Sequence, residues 1–169
     1  VNLTVPANQN SFSFDFNFLS AEYPEFVGMS YNDKFEANIV GSAYTGNAAI
    51  DSVGNDVSVN SALFTVTNPQ DLLNTGFGNG DGGGTGWLTM LVPVNPLDQI
   101  QVEFTIYDMG DGVYDSTVLL DNFSWSETDI STPSIIVPID IERLTPKRGS
   151  TSGDYTTIHG ENFNPSCTT

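Results

Sequence analysis

One cysteine in 169 residues, Cys167, leaves the chain without an internal disulfide. The fold therefore has to hold without a covalent crosslink, which suits a reducing compartment and equally an exterior protein stabilised by metal. A single histidine, His159, excludes a histidine-rich metal centre. No Gly-x-Ser-x-Gly elbow is present to carry a nucleophilic serine. Only four Lys and Arg stand against 21 Asp and Glu, a formal charge of −17. Nucleic acids and anionic membranes reward basic residues, so neither is expected as a partner. No run of 18 apolar residues exists, so no helical membrane insertion is expected. No signal peptide is visible, and Val1 is not a natural start, which points to a processed or excised segment.

Helical periodicity is nearly absent too, and what replaces it is alternation. Phe12 to Phe18 places phenylalanine at every second position, the pattern of a half-buried strand. Ile100, Val102, Phe104 and Ile106 repeat it on one face of a second strand. Strands are also expected at 35–40, 57–60, 62–67, 87–92 and 117–125, separated by Gly-, Asn- and Pro-rich turns. That series predicts an all-β, antiparallel, jelly-roll-like β-sandwich. Only 69–74 and 21–26 suit a helical turn. Gly76 to Gly86 reads as a loop, either a flexible connection or a close approach to a ligand; it lacks the lysine of a phosphate loop. Composition changes after Trp125, and three of the four basic residues follow Ile139. The expected organisation is a sandwich over 1–130, a linker or final edge strand over 131–138, and a further β segment over 139–169.

The acids concentrate where glycines do. Asp108, Asp111 and Asp115 flank Gly110 and Gly112 in a loop expected to join strands 100–107 and 117–125 as a hairpin. Their spacing is not that of an EF-hand. Carboxylates and carbonyls turned inward suit a hard cation, Ca²⁺ above all; a solvated loop of Asx turns is the other reading. Asp121, inside a strand between Leu120 and Asn122, either completes a metal site or accepts backbone hydrogen bonds at a bend. Glu22 and Asp33 follow the first long strand and are candidate partners for the loop, or else cap local turns. Glu25 is expected to face solvent. Paired carboxylates hydrolyse glycosides only at set separations, and no active-site motif accompanies these acids, so the chain is expected not to be an enzyme. Among the aromatics, Tyr114 lies between two candidate calcium ligands and is the one expected to be exposed for sugar stacking.

Two stretches resemble known bacterial families. Ser20-Ala21-Glu22-Tyr23-Pro24-Glu25-Phe26-Val27 with Tyr31-Asn32-Asp33-Lys34-Phe35 is similar to the opening of choice-of-anchor L domains. Tyr107-Asp108-Met109-Gly110-Asp111-Gly112-Val113-Tyr114-Asp115-Ser116 resembles the second hallmark of that family. Glu22 and Asp33 fall on motif positions of the first stretch. Residues 139–163, from Ile139-Asp140-Ile141 to Gly160-Glu161-Asn162-Phe163, resemble the start of an IPT/TIG immunoglobulin-like domain. The resemblances imply a module of a long, multidomain bacterial surface protein, extracellular or at the cell surface. The expected role is non-catalytic and calcium-stabilised, serving adhesion or as a structural unit of an array or filament. The expected partners are neighbouring domains or other copies of the protein, the latter by strand addition to an edge such as 57–67. The alternative is a calcium-dependent carbohydrate-binding module recognising surface glycans.

Overall fold

The phenylalanine alternation becomes the central strand of the sandwich. In the computed structural model, which describes residues 1–66, 68, 70–78, 82–138 and the strand segments 140–145 and 157–161, twelve strands are present and no helix is found among the described residues. They are β1 (Asn2–Thr4), β2 (Ser11–Ser20), β3 (Lys34–Val40), β4 (Thr45–Asn47), β5 (Val57–Ser58), β6 (Gly83–Gly84), β7 (Leu88–Pro93), β8 (Gln99–Tyr107), β9 (Ser116–Ser126), β10 (Ser134–Ile136), β11 (Asp140–Thr145) and β12 (Thr157–Glu161). The chain divides into two compact units, Val1–Ile136 and Val137–Thr169. The all-β, antiparallel sandwich expected from the alternation is what the first unit forms.

One sheet of that unit runs β10-β7-β2-β9, with β6 pairing the end of β2. The other runs β1-β8-β3-β4, with β5 also on β3. All pairings are antiparallel. β2 is central because both its edges are used: Phe16 lies opposite Leu88 on β7 and Leu120 on β9. Its inward rings Phe12, Phe14, Phe16 and Phe18 are buried, as are Phe35, Ala37, Ile39, Ile100 and Val102 from the facing sheet. Rings meet across the layer, Phe16 to Phe35 at 5.3 Å and Phe14 to Phe104 at 5.0 Å between centroids. Each fully buried Phe contributes roughly 2–3 kcal/mol from lost apolar exposure.

Several expectations are corrected. The 100–107 and 117–125 strands do not form a hairpin. β8 pairs with β3 and β1, whereas β9 pairs with β2, so residues 108–115 arch from one sheet to the other. Residues 62–67 do not form a strand: 62–63 turn, Val66 makes an isolated bridge to Gly84, and Thr67 lies outside the described residues. Phe64 is buried from this turn by packing on Phe18 at 5.2 Å and Tyr23 at 5.1 Å, so its hydrophobicity reflects burial without a ladder. The edge suggested at 57–67 is therefore only the two residues of β5. Residues 21–26 and 70–74 turn without forming a helix, and Pro69 lies outside the described residues.

The glycine run is more than a connection. Gly83 and Gly84 pair with Ser20 and Leu19, and a Cβ on Gly83 would stand 2.3 Å from a ring carbon of Tyr23. The absence of a side chain is what lets the strand lie under that ring. Gly83→Ala is expected to cost about 1–3 kcal/mol by overpacking, read as a lowered urea midpoint. An unchanged midpoint would show that Tyr23 moves aside freely. Residues 79–81 of the run lie outside the described residues.

The second unit is described by two strands. β11 and β12 pair antiparallel, with Arg143 opposite His159. Residues 139, 146–156 and 162–169, including Cys167, lie outside the described residues.

Candidate functional site

At its far end β2 stops at Ser20, and the chain makes an excursion of tight turns before re-entering as β3 at Lys34. Glu22 and Asp33 stand at the two ends of this excursion, 1% and 0% exposed. They close it: the Asp33 amide donates to Glu22 Oε2 at 3.1 Å, and the Glu22 amide donates to Ser20 Oγ at 3.1 Å. The arch 108–115 then docks on Asp33. The Met109 amide donates to Asp33 Oδ1 at 2.8 Å, and the Ser116 hydroxyl donates to Asp33 Oδ2 at 2.7 Å. Ala21 N donates to the Asp115 carbonyl at 3.1 Å, tying the two segments once more. One buried carboxylate thus fixes both ends of the arch.

Gly110 is needed where the arch crosses the excursion. It has φ of +101°, and a Cβ there would come within 2.8 Å of the Tyr31 ring. Gly112 adopts no positive φ, so only one of the two loop glycines is required for that reason. Phe26 bridges Tyr31 and Tyr114, with ring centroids 5.3 Å from each. Tyr114 is exposed, as expected, and Trp87 is exposed as well. Asp111 Oδ1 accepts from Val113 N at 2.9 Å, an Asx turn.

The corner is short of positive charge. Burial pushes the Glu22 carboxyl above its ordinary value, and the charges of Asp33, Asp108 and Asp111 push it further, against the lowering by the Asp33 amide. Asp108 is raised as well, first by lost hydration and then by Asp33, Asp111 and Asp115. The only basic side chain before residue 139 is Lys34. Its ammonium is taken by Glu36 at 2.6 Å and Asp56 at 3.4 Å. Glu22, Asp33, Asp108, Asp111 and Asp115 therefore share one negative field. Among the described residues, no three acidic, histidine or cysteine side chains are gathered closely enough to hold a metal ion.

Asp121 is placed apart from these five. It faces outward on β9, opposite Asp15 on β2, and its Oδ1 accepts from the Asn122 amide at 2.8 Å. Asn122 has φ of +52° at a register shift, so the bend reading of Asp121 matches its surroundings. Asp15 is balanced by the Thr89 hydroxyl at 2.6 Å and Asn122 Nδ2 at 2.7 Å. Glu25 is exposed. Ser116 and the Met109 amide, which complete the Asp33 carboxylate, were not singled out from sequence. A lone serine after an acidic loop carries no signal of its own.

A raised folded-state value has a definite sign. Folded Glu22 holds its proton at pH values where the unfolded chain, near 4.5, has lost it. Its contribution to stability therefore falls as pH rises above about 4.5 and is recovered on acidification. In chelator, the difference in urea midpoint between Glu22→Gln and the parent should narrow as pH falls from 7 towards 5. Parallel curves would show that Glu22 is not strained by its neighbours.

The family model for the choice-of-anchor L domain matches residues 2–126. No curated protein and no solved structure matches the chain. Among the described residues, no helix is long and apolar enough to cross a membrane.

Proposed function

Because the chain belongs to the choice-of-anchor L domain family, a non-enzymatic type of bacterial surface domain, we propose that it is a calcium-stabilised sandwich module serving adhesion or acting as a structural unit of a surface array. The observation that carries the calcium reading is the pair of buried carboxylates, Glu22 and Asp33, facing Asp108 and Asp111 with no cationic side chain among them. The donor set is all oxygen, which fits Ca²⁺ and not a soft metal. Asp33 already spends both oxygens on the arch, so Glu22, Asp108, Asp111 and Asp115 are the side chains left to turn onto an ion. Binding then needs the exposed arch side chains to swing inward, which suits a weak extracellular site with a dissociation constant of about 10⁻⁴–10⁻³ M.

Calorimetric titration tests this. Saturable Ca²⁺ binding in that range, lost in Asp108→Asn combined with Asp111→Asn, is the expected result. Equal, non-saturating heats for Ca²⁺ and Mg²⁺ would reduce the corner to a diffuse counter-ion atmosphere. We read residues 139–169 as the opening of an IPT/TIG-like domain, supported by the β11–β12 pairing. Glycan recognition is the second reading, favoured by Tyr114 standing exposed between Asp111 and Asp115. A glycan array probed with and without calcium separates it from a purely structural role.

A further inference from the structure

The sandwich is closed on one flank and open on the other. Inward-facing side chains of both sheets remain exposed there: Phe104 36% and Ile106 41% on β8, Leu120 43% and Phe123 46% on β9. Their inward direction is fixed by their partners. Leu120 lies opposite Phe16, Phe123 stacks on Phe12 at 5.3 Å, and Phe104 meets Phe14 edge-on. Val1, Leu3, Val102, Phe104 and Phe123 line an apolar groove of about 200 Å³ between the sheets.

The backbone is open on the same flank. β9 has eleven residues and pairs with β2 alone, so its outer edge has no strand partner among the described residues. β1 pairs with only the first residues of β8, Gln99 to Gln101, and beyond Val102 β8 has β3 on one side and no described strand on the other. A long strand edge with free donors and acceptors templates a further strand. The bulge at Asn122 breaks the edge and leaves 116–121 as the regular stretch. A strand added along 116–121 sets alternate side chains inward beside Val118 and Leu120, over Phe104 and Ile106. The intervening side chains face outward beside Thr117, Leu119 and Asp121.

Charge decides which strand fits. Glu103, Asp108, Asp111, Asp121 and Glu127 are exposed around this flank. A second copy brings the same excess, since Lys34 is the only basic residue before 139, and like charges brought together oppose association. We propose that the open flank between β8 and β9 is a strand-addition groove for a separate, extended polypeptide segment in which apolar residues alternate with Lys or Arg.

The probe is a capped synthetic peptide of about nine residues, Val and Ile alternating with Lys and Thr, added to the isotope-labelled 169-residue chain. Saturable binding at low ionic strength is expected, with amide-exchange protection appearing in 116–121. Replacing the peptide lysines with glutamate, or N-methylating alternate peptide nitrogens, is expected to weaken binding at least about tenfold. Leu120→Asp should do the same, and the modified peptides keep the test valid if that variant misfolds. No saturable binding up to about 1 mM overturns the proposal. So does protection confined to another edge such as β4, or affinity unchanged by the glutamate peptide. Protection of 116–121 that grows with protein concentration in the absence of peptide overturns it in favour of a second copy.

Discussion

Asp33→Ala is expected to lower the unfolding free energy by about 2–4 kcal/mol, measured in chelator by urea denaturation. The fully buried carboxylate accepts from the Met109 amide at 2.8 Å and the Ser116 hydroxyl at 2.7 Å. Hydrogen bonds to a charged acceptor contribute roughly 1.5–3 kcal/mol each, and stranding a buried donor adds a desolvation cost. The loss is partly offset, because removing the Asp33 charge relieves Glu22 and Asp108. Asp33→Asn separates the two effects. Its Oδ1 still accepts from Met109, and the Ser116 hydroxyl can turn to accept from the new amide, so a change of less than about 1 kcal/mol is expected. If alanine costs no more than asparagine, the arch is held by something other than this carboxylate.

Phe16→Ala is expected to cost about 3–5 kcal/mol, the range for emptying a large aromatic site in a packed core. Phe16 is fully buried, sits between Leu88 and Leu120 in the ladder, and meets Phe35 across the sandwich. No neighbour can collapse into the space without moving a strand. Phe123→Ala is the informative contrast. Its ring stacks on Phe12 and meets Trp125 edge-on but lies on the open flank, so the expected cost is about 1–2 kcal/mol. Equal costs for the two would mean that the flank is not open in solution.

β2 was legible in the sequence because a strand with one buried face writes its period directly into residues 12–18. β8 was equally legible as a strand, yet its alternation is silent on partner choice. The same pattern serves a hairpin within a sheet and an arch between sheets, so the hairpin expectation for 108–115 failed on that ambiguity. Phe64 shows another limit: a ring buried from a turn looks like a strand residue when only hydrophobicity is read. β1, β4 and β6 are two or three residues long and carry no periodic signal. Alternation also could not reveal that Ile100 and Val102 are covered while Phe104 and Ile106 are not, since coverage depends on β1 ending beside Gln101. Within the acidic corner, Glu22 and Asp33 were reached through family motif positions. Their burial and mutual hydrogen bond are tertiary facts that spacing does not encode.

Calcium stabilisation is tested most directly by thermal unfolding of the 169-residue chain in about 10 mM CaCl₂ against the same buffer with EGTA. A site with a dissociation constant near 10⁻⁴–10⁻³ M is then occupied about 10- to 100-fold above its half-point, which stabilises by roughly 1.4–2.7 kcal/mol. For a domain of this size, that is a rise in midpoint of about 3–10 °C. Asp108→Asn combined with Asp111→Asn should abolish the rise, and equimolar Mg²⁺ should not reproduce it. A midpoint indifferent to calcium, or a rise that survives in the double variant, would contradict calcium binding at this corner.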